Sequence, residues 1–255
     1  MQIFSYEDIM LTDFPPKDYI ITGTKIDKIS NGFAKKEIHL ICGKSGQGKS
    51  LSMTHLAINC AIEGSKVFYI ALENDQIDDL ERIKDTGQTY NDYINENLLN
   101  NFKYVNLSED TDIKERIKTI IEKLGENDIV FVDGTEFLIT GKTSTEISEN
   151  GRKLMLSLRN AARTSDSTIV MSWQTNRLAG VKKFEEIQLE DLSGSMSVPQ
   201  QAYSVWYIGW WKEKSTLNWK MRYIKCRGKI INKKEDSFST LNNKEEFYLR
   251  FTLEE

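Results

Sequence analysis

Cysteine and proline are both scarce, with three of each in 255 residues. Cys42, Cys60 and Cys226 are far apart, odd in number and never spaced as C-x-x-C. That spacing excludes a disulfide framework and a cysteine-based zinc site, and it suits a reducing compartment. Two of the prolines are adjacent, Pro15-Pro16, so proline stiffening is concentrated at one point near the N-terminus. No stretch approaches the length of a membrane span, and Met1-Gln2-Ile3-Phe4-Ser5 has neither the basic nor the apolar region of a leader, so a cytoplasmic protein without a membrane partner is expected. An excess of positive charge is also missing. The formal net charge of −4 argues against a generally basic nucleic-acid coat, although a local basic groove would suffice for nucleic acid. No internal repeat or low-complexity segment is evident.

What is present is a chain with 39% hydrophobic and 28% charged residues, enough for one large α/β domain or two small ones. Residues 1–20 stand apart as an N-terminal arm and linker. Tyr6-Glu7-Asp8-Ile9-Met10-Leu11 has the composition of one or two helical turns, ending before Phe14-Pro15-Pro16, and would pack on its own domain or on a neighbour. Residues 21–255 form the main domain. Apolar, β-branched strands are expected at 37–42, 66–72, 102–107, 129–132 and 168–173. Helices are expected at 50–63, between 75 and 100, at 110–124 and at 146–163. This β-α alternation predicts an α/β fold with a mostly parallel central sheet covered by flanking helices. Runs at 203–210, 219–226 and 246–252 have no long helix between them and are expected to form a C-terminal antiparallel extension of the same sheet.

Gly43-Lys44-Ser45-Gly46-Gln47-Gly48-Lys49-Ser50 is a complete G-x-x-x-x-G-K-S phosphate-binding loop. It follows the apolar run Ile38-His39-Leu40-Ile41-Cys42 and precedes a helical stripe of Leu51, His55, Ile58 and Ile62, with Gly64 as the stop. The glycines let backbone N–H groups crowd around a polyphosphate, and the helix N-terminus adds a positive dipole end. Lys49 would reach the terminal phosphates of ATP, and the Ser50 hydroxyl would sit on Mg²⁺. Asp133, closing the run Ile129-Val130-Phe131-Val132, has the pattern of a second metal-holding acid. Glu73, closing the strand Val67 to Leu72, is placed to polarise the water that attacks the γ-phosphate. The amide of Gln174, at the end of the next strand, can touch both the γ-phosphate and a downstream loop.

These residues resemble the motor domain of DnaB-type replicative helicases, a RecA-like P-loop NTPase fold, from about residue 22 to about 230. Thr24-Lys25-Ile26-Asp27 with Asn31-Gly32-Phe33, Ala71-Leu72-Glu73-Asn74, Phe131-Val132-Asp133 and Ser172-Trp173-Gln174-Thr175-Asn176-Arg177 are each similar to a family motif. So are Asp191-Leu192-Ser193-Gly194-Ser195 through Gln200-Gln201-Ala202 and Lys225-Cys226-Arg227-Gly228. Ser193, Gly194, Pro199 and Tyr203 depart from the pattern, replacing residues that are charged in the family. The resemblance implies that Glu73 is the hydrolytic base and that Lys225 and Arg227 act on the γ-phosphate of a neighbouring subunit. The two alternate along a strand and so share a face. Without that role, they would belong to a basic exposed strand face with Lys220, Arg222 and Lys229.

The resemblance further implies single-stranded DNA running through a ring, a homo-oligomer expected to be a hexamer. The DNA would pass loops at Gly141-Lys142-Thr143-Ser144 and 177–183, where Lys142, Arg177, Lys182 and Lys183 are the candidate phosphate contacts. A primase or a helicase loader is a candidate partner, and the setting would be a bacterial or phage-infected cell. The expected function is an ATP-dependent, single-stranded-DNA-translocating replicative helicase. The alternatives are a RecA-like recombinase or recombination accessory forming filaments, a small-molecule kinase, and a clamp that binds ATP without turnover.

Overall fold

The computed structural model describes residues 17–73, 75–90, 96–107, 112–176, 179, 182–193, 197–213, 216–226 and 237–239. The expected arm helix, the expected strand 246–252, Arg177 and Arg227 lie outside the described residues.

The domain opens with a two-stranded antiparallel ribbon, β1 (Tyr19–Ile20) against β2 (Phe33–Ala34), around the short helix α1 (Lys25–Ser30). A capping box starts α1: the Thr24 hydroxyl accepts from the Ile26 N–H, and Asp27 folds back onto the cap. The central sheet follows. β3 (Ile38–Gly43) leads to α2 (Lys49–Ile62), then β4 (Val67–Ala71). α3 (Gln76–Tyr90) and α4 (Glu96–Asn101) come before β5 (Phe102–Asn106), and α5 (Ile113–Leu124) before β6 (Ile129–Asp133). A 3₁₀ turn at Thr135–Leu138 and the long helix α6 (Ser144–Thr164) precede β7 (Thr168–Gln174). The short helix α7 (Ser197–Gln201), β8 (Ser204–Glu213), β9 (Thr216–Cys226) and β10 (Ser237–Ser239) complete the described elements.

Eight strands form one sheet in the order β10-β9-β8-β3-β7-β6-β4-β5. The expected mostly parallel α/β architecture is present. One expectation is corrected: β8 runs parallel to β3, with His39 opposite Ser204 and Cys42 opposite Tyr207, so the antiparallel part begins only at β9. The stretch between β7 and β8, about 30 residues of short turns plus α7, is long enough to return the chain to the starting edge without a long helix. β9 then follows β8 through a tight connection and must be antiparallel.

Both faces of the sheet are buried, which explains why its strands are continuously apolar rather than alternating. In β6, Ile129 and Phe131 pack with Met53, Leu56, Ala57 and Cys60 of α2, while Val130 and Val132 pack with Ile120 of α5 and Met155 and Leu158 of α6. Helix α2 is buried nearly all round, because Ile26, Phe33 and α4 cover the side turned away from the sheet. Its end is set by Gly64 at φ 95, with N–H groups of Gly64 and Ser65 satisfying Ala61 and Cys60 carbonyls.

Two histidines are enclosed. His39 lies between β8 and β2, its Nδ1 2.6 Å from Ser204 Oγ and its Nε2 3.0 Å from the Ala34 carbonyl. The carbonyl can only accept, so Nε2 carries the proton and Ser204 donates to Nδ1. Burial pushes both His39 and His55 down to about 4. The unfolded chain binds those protons near pH 6.5, so stability is full above that pH and falls as pH drops from 6.5 towards 4. The expected slope is about 1.4 kcal/mol per pH unit for each histidine. Urea unfolding at pH 7.5, 6 and 5 checks it, and equal midpoints across that series would rule it out.

Candidate functional site

In a parallel sheet all strands end at the same edge, and four of the expected site residues are delivered there. β3 ends in the phosphate-binding loop, β4 is followed by Glu73, and β6 and β7 end in Asp133 and Gln174. The register sets their spacing. Gly43 pairs with Gln174 across β3 and β7, and Ala71 pairs with Asp133 across β4 and β6. The Leu72 N–H donates to the Asp133 carbonyl at 3.0 Å, carrying the pairing one residue further to bring Glu73 beside β6.

The phosphate-binding loop has the conformation that its glycines permit. Gly46 and Gly48 have φ of 70 and 77, and Gly48 caps α2 from the left-handed region. Lys49 is buried, and its ammonium donates to the Lys44 carbonyl at 3.3 Å, folding across the loop. Lys44 in turn reaches the carbonyl of Lys182 at 3.4 Å, so the loop touches the segment that follows β7. Ser50 opens α2, and its carbonyl accepts from the Thr54 hydroxyl at 2.9 Å.

Asp133 is buried, and its Oδ2 accepts from the Tyr69 hydroxyl at 3.1 Å. Burial, reinforced by the neighbouring Asp133 carboxylate, holds the Tyr69 phenol well above its ordinary range, so it stays a donor. A hydroxyl at Ser50 and a carboxylate at Asp133 are hard oxygen donors of the kind Mg²⁺ takes when phosphates and water complete its shell. Among the described residues no group of three or more His, Cys, Asp or Glu side chains forms a metal cage of its own. The donor set therefore fits a nucleotide-borne Mg²⁺ rather than a resident metal.

Gly134 makes the turn after Asp133 with φ 83, and a Cβ there would lie 3.0 Å from the Glu73 Cβ and 3.2 Å from its N. Its N–H donates to Ser172 Oγ at 2.7 Å, while the Thr135 hydroxyl bonds the Ser172 carbonyl. The turn is thus fastened to β7 two residues before Gln174. Gln174 is partly buried, and its carbonyl accepts from Ser193 N–H at 2.8 Å.

The remaining candidates fall elsewhere. Lys225 donates to the carbonyls of Pro199, Gln200 and Ala202 at 2.6, 2.7 and 2.8 Å, closing the end of α7 within its own chain. Lys182 is ion-paired with the buried Asp191 at 2.6 Å, and this hydrogen bond raises its affinity for a proton. Lys183 and Lys142 are exposed. Lys142 precedes the capping box of Thr143 and Glu146 that starts α6. Arg222 is not on an exposed basic face: it is 1% exposed and donates to the carbonyls of Glu185 and Ile187 beneath Phe184.

Three features escape sequence reasoning. Tyr69 reads as an ordinary strand aromatic until its hydroxyl meets Asp133. Arg82 of α3 pairs with buried Asp79 and donates to Thr54 Oγ1 at 3.2 Å, tying α3 to α2. Glu136, in the turn after Asp133, has both carboxyl oxygens buried and bonded to no other residue.

The parallel sheet covered on both faces, with a phosphate-binding loop and two acids at one edge, defines a RecA-like P-loop ATPase domain. The chain belongs to the KaiC ATPase family: the family model described as "ATPase: KaiC" matches residues 20–244. No curated protein matches the sequence. Among solved structures, the ATPase domain of a DnaB-like phage helicase superposes with a TM-score of 0.66 over 92% of this chain and 91% of that one, at 16% identity, a likeness of fold. Family and site together support an ATP-hydrolysing enzyme. No helix among the described residues is long and apolar enough to cross a membrane.

Gly134→Ala is expected to cost about 1–2 kcal/mol through its left-handed backbone and to push Glu73 out of place. Its kcat for ATP should fall more than its thermal stability explains, while affinity for a non-hydrolysable ATP analogue holds. Equal losses in binding and turnover would contradict this.

Proposed function

We propose that this protein is an ATP-dependent, single-stranded-DNA-translocating replicative helicase that works as a ring, a hexamer by the resemblance, with ATP held at subunit interfaces. The observation that carries this is the double attachment of Gln174. One side of its strand pairs with Gly43 at the start of the phosphate-binding loop, and its carbonyl holds Ser193 at the end of the 175–193 segment. Lys44 touches the same segment at Lys182. A change at the γ-phosphate therefore has a short mechanical path to the loop in which Arg177, Lys182 and Lys183 would meet DNA. Lys142 would add a contact from the loop before α6.

Each residue then has a task. The loop backbone, Lys49 and Ser50 bind the phosphates, and Ser50 with Asp133 would hold Mg²⁺, whose chemistry there is charge neutralisation on the phosphate oxygens. Glu73, exposed beside buried Asp133, draws the proton from the attacking water. Lys225 and Arg227 supply positive charge to the neighbour's γ-phosphate as charge builds in the transition state. Lys225 rests on three carbonyl dipoles, and a phosphate anion offers a stronger partner than neutral carbonyls.

Mixing tests the shared site. Lys49→Ala and Arg227→Ala subunits, each inactive alone, are expected to regain part of the wild-type ATPase rate when combined, because one type of interface then keeps both halves. Absence of any recovery, with assembly intact, would remove the trans-acting role. The second reading, a recombinase or recombination accessory, draws on the family match, which is to KaiC ATPases rather than to a helicase. Forked DNA decides between them: ATP-dependent unwinding is expected, whereas strand exchange without unwinding would favour the second reading. Glu73→Gln should lower kcat by about a hundredfold or more with nucleotide affinity kept.

A further inference from the structure

Glu136 has no part in the site assembled so far. It sits on the 3₁₀ turn Thr135–Leu138, three residues beyond Asp133, on a backbone fastened to β7 through Gly134 and Thr135. Both carboxyl oxygens are buried and bonded to no other residue. The charged groups that bear on it are Lys49 from α2, Glu73 from the end of β4 and Asp133 from β6. A buried carboxylate normally gathers several donors, and one left without them is costly. Three acids facing one lysine, at a place that must also accept a polyphosphate, cannot all carry charge cheaply.

We propose that Glu136 is a positioning residue for hydrolysis, acting as the neutral acid that orients the attacking water against Glu73. This rests on the hydrolytic assignment above and deepens it. In the neutral form the side chain offers one acceptor and one donor. The acceptor takes one hydrogen of the water while Glu73 takes the other, which leaves a lone pair of the water oxygen facing the γ-phosphorus. The donor faces a phosphate oxygen instead of repelling it. As the water oxygen bonds to phosphorus, the bond from phosphorus to the β,γ-bridging oxygen breaks and ADP leaves. The water's proton passes to Glu73, and Glu136 keeps its own. Burial, with Glu73 and Asp133 adding to it, raises the affinity of Glu136 for that proton.

The chemistry distinguishes a neutral acid from a charged one. Glu136→Gln preserves one donor and one acceptor and should turn over ATP near the wild-type rate. Glu136→Ala should lower kcat by about tenfold to a hundredfold, with unchanged affinity for a non-hydrolysable ATP analogue. Glu136→Leu should show the same loss of turnover while its thermal midpoint rises by about 2–4 °C, since an unsatisfied buried carboxyl has been removed. Wild-type turnover in Glu136→Ala would overturn the proposal, and so would a Gln variant as slow as the Ala variant, which would mean that charge is required. Glu73→Gln run in parallel separates the two assignments. An inactive Glu73→Gln beside a fully active Glu136→Ala removes the role of Glu136 alone. An active Glu73→Gln beside an inactive Glu136→Ala would make Glu136 the base and also overturn its neutral role.

Discussion

Six parallel strands can gather catalytic groups at one edge only while the hydrogen bonds between them stay in register, out of reach of water. The pairing of Gly43 with Gln174 and of Ala71 with Asp133 is that constraint. A slip of one residue in either pair would turn a catalytic side chain to the opposite face of the sheet. Burial on both faces guards against this, because each strand presents apolar side chains to two packed layers and no shifted register would keep both satisfied. The precision of the site is therefore inherited from the core beneath it.

The same burial shapes the electrostatics. Lys49, Tyr69, Asp133 and Glu136 lie in or against a low-dielectric floor, where charges interact more strongly than at the surface and a missing partner is felt. Asp133 is steadied by Tyr69, and Lys49 folds onto the Lys44 carbonyl. Arg82 and Asp79 extend this polar layer outward to α3, which begins just after Glu73. Such a layer is preorganised for a highly charged ligand: its groups are held before the nucleotide arrives, so less reorganisation is needed when it binds. On the other side of the sheet edge, Arg222 pins the Glu185 and Ile187 carbonyls, making the base of the segment that carries Lys182 and Lys183 rigid while leaving Lys183 exposed.

The phosphate-binding loop was legible because its chemistry needs glycines, a lysine and a hydroxyl at fixed spacing within a few consecutive residues. Asp133 and Glu73 were legible because an acid ending an apolar run marks a strand's C-terminal end. The parallel order of β8 was not, since direction depends on where a connection of about 30 residues travels and not on the composition of the strand. Arg222 was misplaced for a related reason: among the lysines of β9 it reads as one more surface cation, and only the loop folded over it shows that it is buried. Nothing in the spacing of Glu136 marks it out, because its lack of partners is a property of the space around it.

By itself the sequence determined the phosphate cradle, the strands and helices that frame it, and the acids that end two of those strands, since each is encoded by neighbours along the chain. Only the tertiary structure decided what surrounds those groups. It brought Gln174 beside Gly43, placed the Tyr69 hydroxyl on Asp133, seated Lys225 on three carbonyls and left both oxygens of Glu136 without a partner. The physical reason is that hydrogen bonding and desolvation depend on distances in space, and residues far apart in the chain acquire those distances only when the sheet closes.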